Sequence, residues 1–264
     1  MVGLFKGIYQ YRHFLVSSVR NQLVNQFVRS RLGGLWLVIQ PLVMVAIYAF
    51  VLSAVLSAKF EGIDNQYAYA IYLTSGILAW TLFNDTLSQS LNLFVGNGEL
   101  LKKMRIPKAT LPLITAGTVL INNMVLFVAI VVIFSFLGHL PTLTILWMPV
   151  ITGVLLMFVM GIGLVVGVLN VFIRDLSQII PIALQFLFWF TPIVYPVTII
   201  PENVRRLLFF NPMYHLVAAY HDVLAYQRTP DLFALSMLVL IGVFMLVLGA
   251  WLVRRANTEM VDML

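Results

Sequence analysis

The sequence predicts an all-α integral membrane protein, a bundle of six transmembrane helices, on the evidence of its composition, its apolar stretches and its charge distribution. The 264 residues are 61% hydrophobic and only 10% charged, and the mean hydropathy is +0.99. A water-soluble globule needs more polar surface than this composition supplies. We therefore expect lipid to be the solvent, and residues 1–264 to form a single domain.

Six apolar stretches follow one another along the chain, and each is long enough to cross a hydrocarbon core about 30 Å thick. The predicted spans one to six are residues 35–58, 69–95, 112–137, 143–172, 178–199 and 232–253. Because the number of spans is even, both termini lie on the same side of the membrane.

The positions of the positive charges indicate which side this is. Of the 16 Lys and Arg residues, all but Lys59, Arg205, Arg206 and Arg228 fall on the side of the termini. Cytoplasmic loops of membrane proteins carry an excess of Lys and Arg, so the termini are predicted to be cytoplasmic. The same rule explains the net charge of +6 without a nucleic-acid partner.

Residues 1–28 are predicted to form an amphipathic helix rather than a cleaved signal peptide, because polar and basic residues interrupt every apolar run. The apolar side chains fall three or four residues apart, at Leu4, Ile8, Tyr11, Leu15, Val19, Leu23 and Phe27. Arg12, Arg20 and Gln26 fall between them. This pattern favours a helix in the membrane interface and leaves open a helix packed on the protein's own spans.

The polar stretch 97–110, between spans two and three, has a composition that a plain connecting loop does not need. It combines a helix-forming run with four cations and four apolar residues: Lys102, Lys103, Arg105, Lys108, Leu100, Leu101, Met104 and Ile106. These features predict a cytoplasmic docking helix. The alternative is a row of positive charges beside lipid headgroups.

From the end of span five to the start of span six, residues 192–231 contain five prolines among aromatic and aliphatic residues. This composition is too apolar for a solvated loop. Broken backbone is tolerated at membrane depth only where protein or a water-filled cavity surrounds it. We therefore expect two short half-helices that re-enter the membrane, with a plain periplasmic loop carrying one surface helix as the alternative.

The sequence offers little that could carry catalysis or energy conversion. No glycine begins the phosphate-binding pattern G-x-x-x-x-G-K-[ST], and the chain has no cysteine. His215 and His221 are six residues apart, which does not place two imidazoles on one helix face for a metal. Asp85 is the one strong candidate for a functional charge within a span, and a hydrogen-bonded structural carboxylate explains it equally well. An enzyme is not expected.

Aromatic residues crowd the outer end of span five, with two more tyrosines following: Phe186, Phe188, Trp189, Phe190, Tyr195, Tyr214 and Tyr220. Trp and Tyr commonly form belts at membrane interfaces, which is the ordinary explanation. Aromatic faces also stack on the apolar C–H faces of sugar rings, so the cluster is compatible with a path for a glycan as well.

Short motifs in four places along the chain resemble those of the permeases of type-2 ABC exporters. They are Arg-Ser-Arg-Leu-Gly-Gly-Leu-Trp at 29–36, followed by Gln-Pro-Leu at 40–42, then Asn-Val-Phe-Ile-Arg-Asp-Leu at 170–176, Phe-Thr-Pro-Ile-Val-Tyr-Pro at 190–196 and Asn-Pro-Met at 211–213. The branch that they resemble most is the permease of lipopolysaccharide O-antigen and polysaccharide export.

The resemblance implies a fold and a set of partners. Such permeases have an interface helix, six spans, a cytoplasmic coupling helix and two re-entrant gate helices, and these would be 1–28, 97–110 and 197–228 here. They act in the bacterial inner membrane as homodimers with two copies of a separate ATPase, which binds ATP and Mg²⁺, so this chain needs no cofactor. A lipid-linked glycan passes through a channel formed mainly by spans one and five.

The resemblance also implies roles for particular residues. The ATPase would contact Glu99, Leu100, Lys102, Lys103 and Arg105. Two arginines would lie near the cytoplasmic entrance, Arg29 and Arg31. Five aromatic residues would line or close the outer exit, Phe186, Trp189, Phe190, Tyr195 and Tyr214. One departure stands out, because the family often has Tyr-Arg where this chain has Tyr220 followed by His221 and Asp222.

Other functions remain open on the sequence. The same architecture could export capsule, teichoic acid or a hydrophobic drug. An ion-coupled carrier is disfavoured by the scarcity of ionisable residues within spans. A membrane-embedded glycosyltransferase or acyltransferase would need catalytic carboxylates or histidines at a membrane face.

Overall fold

The structure, a computed structural model, describes residues 12–25, 32–47, 63, 65, 67–98, 102, 110–256, 259, 260 and 263. The regular structure of these residues is helical, without a β-strand. The α-helices are α1 Arg12–Asn25, α2 Trp36–Ile47, α3 Ala68–Leu91, α4 Thr110–Phe136, α5 Met148–Phe172, α6 Leu176–Phe190, α7 Glu202–Leu208, α8 Pro212–Tyr220 and α9 Leu232–Arg255. The all-α prediction is confirmed for this part of the chain.

Three of the predicted spans are helical segments long and apolar enough to cross a membrane. They are Thr110–Phe136, Leu143–Phe172, in which a 3₁₀ turn precedes α5, and Leu232–Arg255. Helix α3 has 24 residues, about 36 Å of helix, but Thr, Asn, Asp, Ser and Gln make its second half more polar. Helix α2 covers the first half of predicted span one, and the second half lies outside the described residues. The count of six spans stays a prediction.

Predicted span five was wrong in its length. Helix α6 has 15 residues, about 22 Å, and ends at Phe190 rather than at residue 199. Thr191 leaves the helix with extended backbone, and Pro192 and Pro196 follow, neither of which has an N–H to continue the helical ladder. The outer end of this predicted span is therefore an irregular turn.

Part of the predicted N-terminal helix is described, over Arg12–Asn25, and this helix contacts α4. The Val19 side chain lies close to Gly117, and the Thr118 hydroxyl donates to Gln22 Oε1 at 3.0 Å. Arg12 and Arg20 are on the exposed side. The helix thus packs on the protein's own α4, with its basic face outward.

The core of the protein is built on α5, which packs against α9 on one side and α3 on the other. The contact with α9 is close because Gly161 has no side chain. A Cβ at Gly161 would come within 2.7 Å of the Leu246 backbone nitrogen and of Met245 Cβ. Small residues let helix backbones approach closely, which is how membrane helices gain van der Waals contact.

Two short helices, α7 and α8, connect α6 to α9, and a π-helical turn, His221–Ala225, continues α8. Segment 197–228 thus contains two short helices, as expected. Their role as re-entrant gate helices stays a prediction. Segment 212–225 is packed into the protein, with buried side chains including Leu216, Val217 and Val223. It contacts α3 and α5 and is therefore no solvated loop.

The predicted docking helix 97–110 falls mostly outside the described residues. A 3₁₀ turn, Val95–Asn97, leads into it, and α4 begins at Thr110. Between them Lys102 is described, and it is exposed.

Candidate functional site

The irregular turn after α6, residues 191–196, is held in place by two tyrosines of α3. We call these six residues the outer turn. The Tyr69 hydroxyl donates to the Val194 carbonyl oxygen at 3.0 Å. The Tyr72 hydroxyl is shared between the Pro192 carbonyl at 3.2 Å and the Tyr195 carbonyl at 3.3 Å. Each such bond contributes on the order of 1 kcal/mol, so α3 fixes the backbone that α6 leaves irregular.

A histidine of the π-helical turn packs beneath Tyr72. The His221 ring stacks on the Tyr72 ring with centroids 3.8 Å apart and planes 22° apart. His221 fits because Gly76, one turn along α3, has no side chain: a Cβ there would lie 2.7 Å from His221 Nε2. The His221 side chain is buried in this position. His221 thereby links the end of α8 to the outer turn through Tyr72.

Asn211 joins the start of α8 to the end of α6. Its Oδ1 accepts from the Met213 backbone N–H at 3.0 Å, which caps the helix, and Pro212 occupies the first helical position. Its Nδ2 donates to Thr191 Oγ1 at 3.0 Å. The Thr191 hydroxyl in turn donates to the Leu187 carbonyl at 2.8 Å. One buried amide therefore fixes both the α8 cap and the first residue of the outer turn.

Replacing Asn211 with alanine should destabilise the protein by about 2 kcal/mol, since it removes a helix cap and the amide partner of a buried hydroxyl. Thermal unfolding of the purified protein in detergent measures the loss. The matched control is Asn97→Ala, because the Asn97 side chain donates one hydrogen bond, to the Leu93 carbonyl, at a half-buried helix end. Equal melting temperatures for the two variants would contradict the bridging role of Asn211.

The predicted aromatic cluster of span five is brought together around the end of α6. Phe186 and Phe190 stack with centroids 5.9 Å apart, and the Tyr195 hydroxyl donates to the Trp189 carbonyl at 2.6 Å. Phe186 is 70% exposed and Trp189 59% exposed. These four residues form an aromatic surface that runs from α6 into the outer turn.

Tyr214, the fifth aromatic residue of the predicted exit, belongs to a different group. Its ring contacts Phe209 at 5.8 Å and His215 at 5.0 Å between ring centroids, at the junction of α7 and α8. His215 Nε2 lies 3.0 Å from the Phe209 carbonyl. The predicted exit residues thus form two clusters rather than one.

An ion pair joins Asp222, in the π-helical turn after α8, to Arg228. The Arg228 guanidinium lies 2.7 Å from Asp222 Oδ1, and the Arg228 backbone N–H donates to the Asp222 carbonyl. Burial raises the pKa of the Asp222 carboxyl, and the hydrogen bond and charge of Arg228 partly offset this. At the position after Tyr220, where the exporter permeases that this sequence resembles often have arginine, this chain has His221. The arginine that pairs with Asp222 is Arg228 instead.

Asp85, the one strong candidate for a charge within a span, is half-buried on α3. Asn84 Nδ2 lies 3.5 Å from its carboxylate, a weak hydrogen bond. Thr81, one turn earlier, donates to the Leu78 carbonyl of its own helix. The Asp85 carboxylate thus lies beside an amide on the polar second half of α3.

Several predicted site residues lie outside the described part of the chain. They are Arg29 and Arg31 of the entrance and Glu99, Leu100, Lys103 and Arg105 of the docking helix. Their roles stay predictions.

Sequence reasoning missed the residues that hold the outer turn: Tyr69, Tyr72, Asn211 as a bridge, and His221. Asn before Pro was a usable signal, because Asn at the cap and Pro at the first helical position begin a helix. Nothing in the sequence spacing marked Tyr72, since its partners are more than a hundred residues away.

Together, these features describe a helical membrane protein whose irregular outer turn is held by two tyrosines of α3 and by Asn211 at the start of the buried α8. The chain belongs to the ABC-2 type transporter family, whose sequence pattern matches residues 13–225.

Curated relatives match along nearly the whole chain. An O-antigen export system permease protein RfbA of Myxococcus xanthus is 28% identical, covering 93% of each chain. One of the same name from Klebsiella pneumoniae is 26% identical over 95% of this chain and 94% of its own. The polysialic acid transport protein KpsM of Escherichia coli is 20% identical over 90% of this chain and 92% of its own. The predicted resemblance to polysaccharide export permeases is confirmed.

Proposed function

We propose that this chain is the permease subunit of an ATP-driven exporter that moves a lipid-linked polysaccharide of the O-antigen type from cytoplasm to periplasm. The observation that carries the proposal is similarity over more than nine-tenths of the chain to permeases named for O-antigen export. The excess of Lys and Arg on the side of the termini supports cytoplasmic termini in the bacterial inner membrane.

The energy source would be a separate chain. This sequence lacks the phosphate-binding pattern, so ATP and Mg²⁺ would bind to two copies of an ATPase subunit that serve a homodimer of this protein. The docking helix would make the contact, through Glu99, Leu100, Lys102, Lys103 and Arg105. Arg29 and Arg31 would lie beside the cytoplasmic entrance.

The outer end of the path would be closed by the outer turn and α8. Movement of α3 relative to α6 would release the turn, since Tyr69 and Tyr72 connect α3 to it. The glycan would then slide over Phe186, Trp189 and Phe190, whose faces suit the C–H faces of sugar rings. No single sugar would be held tightly, as export of a polymer requires.

Affinity purification of the tagged chain from native membranes tests the proposal. An ATPase subunit should co-purify, and ATP hydrolysis by the complex should fall when Glu99 or Arg105 is replaced with alanine. A chain that purifies alone and moves solute without ATP would instead support an ion-coupled carrier.

Replacing Phe190 and Tyr195 with alanine should reduce glycan export or raise ion leak, while ATP hydrolysis continues. The reason is that the pair forms part of the aromatic surface at the outer turn. Surface glycan and dye-reported leak are the measurements. Phe244→Ala is the control, because Phe244 is 62% exposed on α9, a different helix. Unchanged export and leak in the double variant would refute the lining role.

Export of a capsule-type polysaccharide is the second candidate, favoured by similarity to the polysialic acid transport proteins. Expression of the chain with its ATPase in two hosts, one lacking its O-antigen permease and one lacking its capsule permease, decides between the two cargoes.

A further inference from the structure

The exposed face of α6 carries two amide side chains, Gln178 and Gln185, beside the exposed Ile182, Phe186 and Trp189. The two glutamines are seven residues apart and therefore lie on one face of the helix. Neither side-chain amide makes a hydrogen bond within the part of the chain that the structure describes.

The other long helices show what a lipid-facing surface looks like in this protein. On α9, the exposed residues between its ends include Leu240, Phe244 and Val247. The exposed serines of α4 and α9, Ser135 and Ser236, donate to carbonyls of their own helices. On the described helices of the six predicted spans, exposed amides occur on α6 and, through Gln40, on α2. Outside these spans, α1, which is predicted to lie at the membrane interface, also exposes Asn21 and Asn25.

Gln185 also lies deep along its helix. It follows Leu176, the first residue of α6, by nine positions, which is about 14 Å at about 1.5 Å per residue. Predicted span five begins at residue 178, near the start of α6, so this distance would place Gln185 close to the middle of a hydrocarbon core about 30 Å thick. An amide without a partner is costly in hydrocarbon, and polar side chains within spans normally face protein or a water-filled cavity.

We propose that Gln185 lies on the wall of a water-filled path and forms hydrogen bonds with hydroxyl groups of the passing glycan. The inference rests on the proposed function. A glutamine amide both donates and accepts, which matches sugar hydroxyls. Phe186 and Trp189 on the same face contact the apolar faces of the sugar rings, so the path offers both kinds of contact. Gln178 continues the polar line toward the cytoplasmic end.

Cysteine accessibility tests this placement, because the chain has no cysteine of its own. Gln185→Cys should react with a charged methanethiosulfonate at least about tenfold faster than Leu240→Cys, since thiolates form in water and not in lipid. The reaction is measured in membranes that contain the ATPase partner and ATP. Equal slow rates, or an oxidative cross-link between two Gln185→Cys protomers without labelling, would overturn the proposal in favour of lipid or a protomer contact.

Export rates test the hydrogen bond itself. Gln185→Leu should lower export about two- to tenfold, the loss expected for one hydrogen bond, while Gln185→Asn retains most of it. ATP hydrolysis and co-purification of the ATPase should be unchanged in both. If export in Gln185→Leu equals that of the parent, the inference fails while the proposed function stands. If no ATPase co-purifies even with the parent chain, the proposed function fails first.

Discussion

Replacing Tyr72 with phenylalanine should raise ion leak by about tenfold on the proposed closure of the path by the outer turn. The reason is that the lost hydroxyl is the donor to two carbonyls of this turn, at a cost of about 1–3 kcal/mol. The carbonyls are those of Pro192 and Tyr195 in the outer turn. Stacking on His221 is retained in this variant, so the effect isolates the hydroxyl. Vesicles loaded with an ion-sensitive dye report the leak.

The matched control is Tyr67→Phe, at the residue that precedes α3. The Tyr67 hydroxyl makes no hydrogen bond among the described residues. Tyr69→Phe should give a smaller rise than Tyr72→Phe, because it removes the bond to one carbonyl of the outer turn, that of Val194. If ion leak through the Tyr72→Phe protein equals that through the control, the outer turn is held by packing alone.

Replacing Gly161 with alanine should destabilise the protein by about 1–3 kcal/mol, the usual cost of overpacking a core. The new Cβ would lie 2.7 Å from the Leu246 backbone nitrogen, and backbone cannot rotate away as a side chain can. The α5–α9 contact must then open. The melting temperature and the yield of folded protein in detergent measure the change.

Gly153→Ala provides the control on the same helix. A Cβ at Gly153 meets nothing within 4 Å, and alanine has the higher helix propensity by about 1 kcal/mol. This variant should be as stable as the parent or slightly more so. If the Gly161→Ala and Gly153→Ala proteins have the same melting temperature, close packing at Gly161 is not what joins α5 to α9.

Much of the architecture could be predicted from the sequence, because lipid imposes simple rules. Long apolar stretches must be helical to satisfy their backbone, which is why residues 143–172 were predicted with the bounds found. The two short helices of 197–228 followed from prolines in an apolar segment. The length of span five could not be predicted in this way, since apolar composition continues past Phe190 where the helix does not.

The candidate site was predicted less completely. Aromatic crowding in the sequence predicted that Phe186, Trp189, Phe190 and Tyr195 lie together, because composition is local, while their role as an exit stays a prediction. The bonds from Tyr69 and Tyr72 join positions more than a hundred residues apart, and no local pattern encodes such a pairing.

The sequence by itself determined that lipid is the solvent and that the fold is helical, and it located several membrane segments. It also gave the resemblance to exporter permeases, since each of these depends on composition, periodicity or short motifs. The tertiary structure decided where α6 ends, which tyrosines hold the outer turn, and that His221 packs against Gly76 beneath Tyr72. The physical reason is that hydrogen bonds and close packing depend on which helices meet, and that is settled by the whole fold.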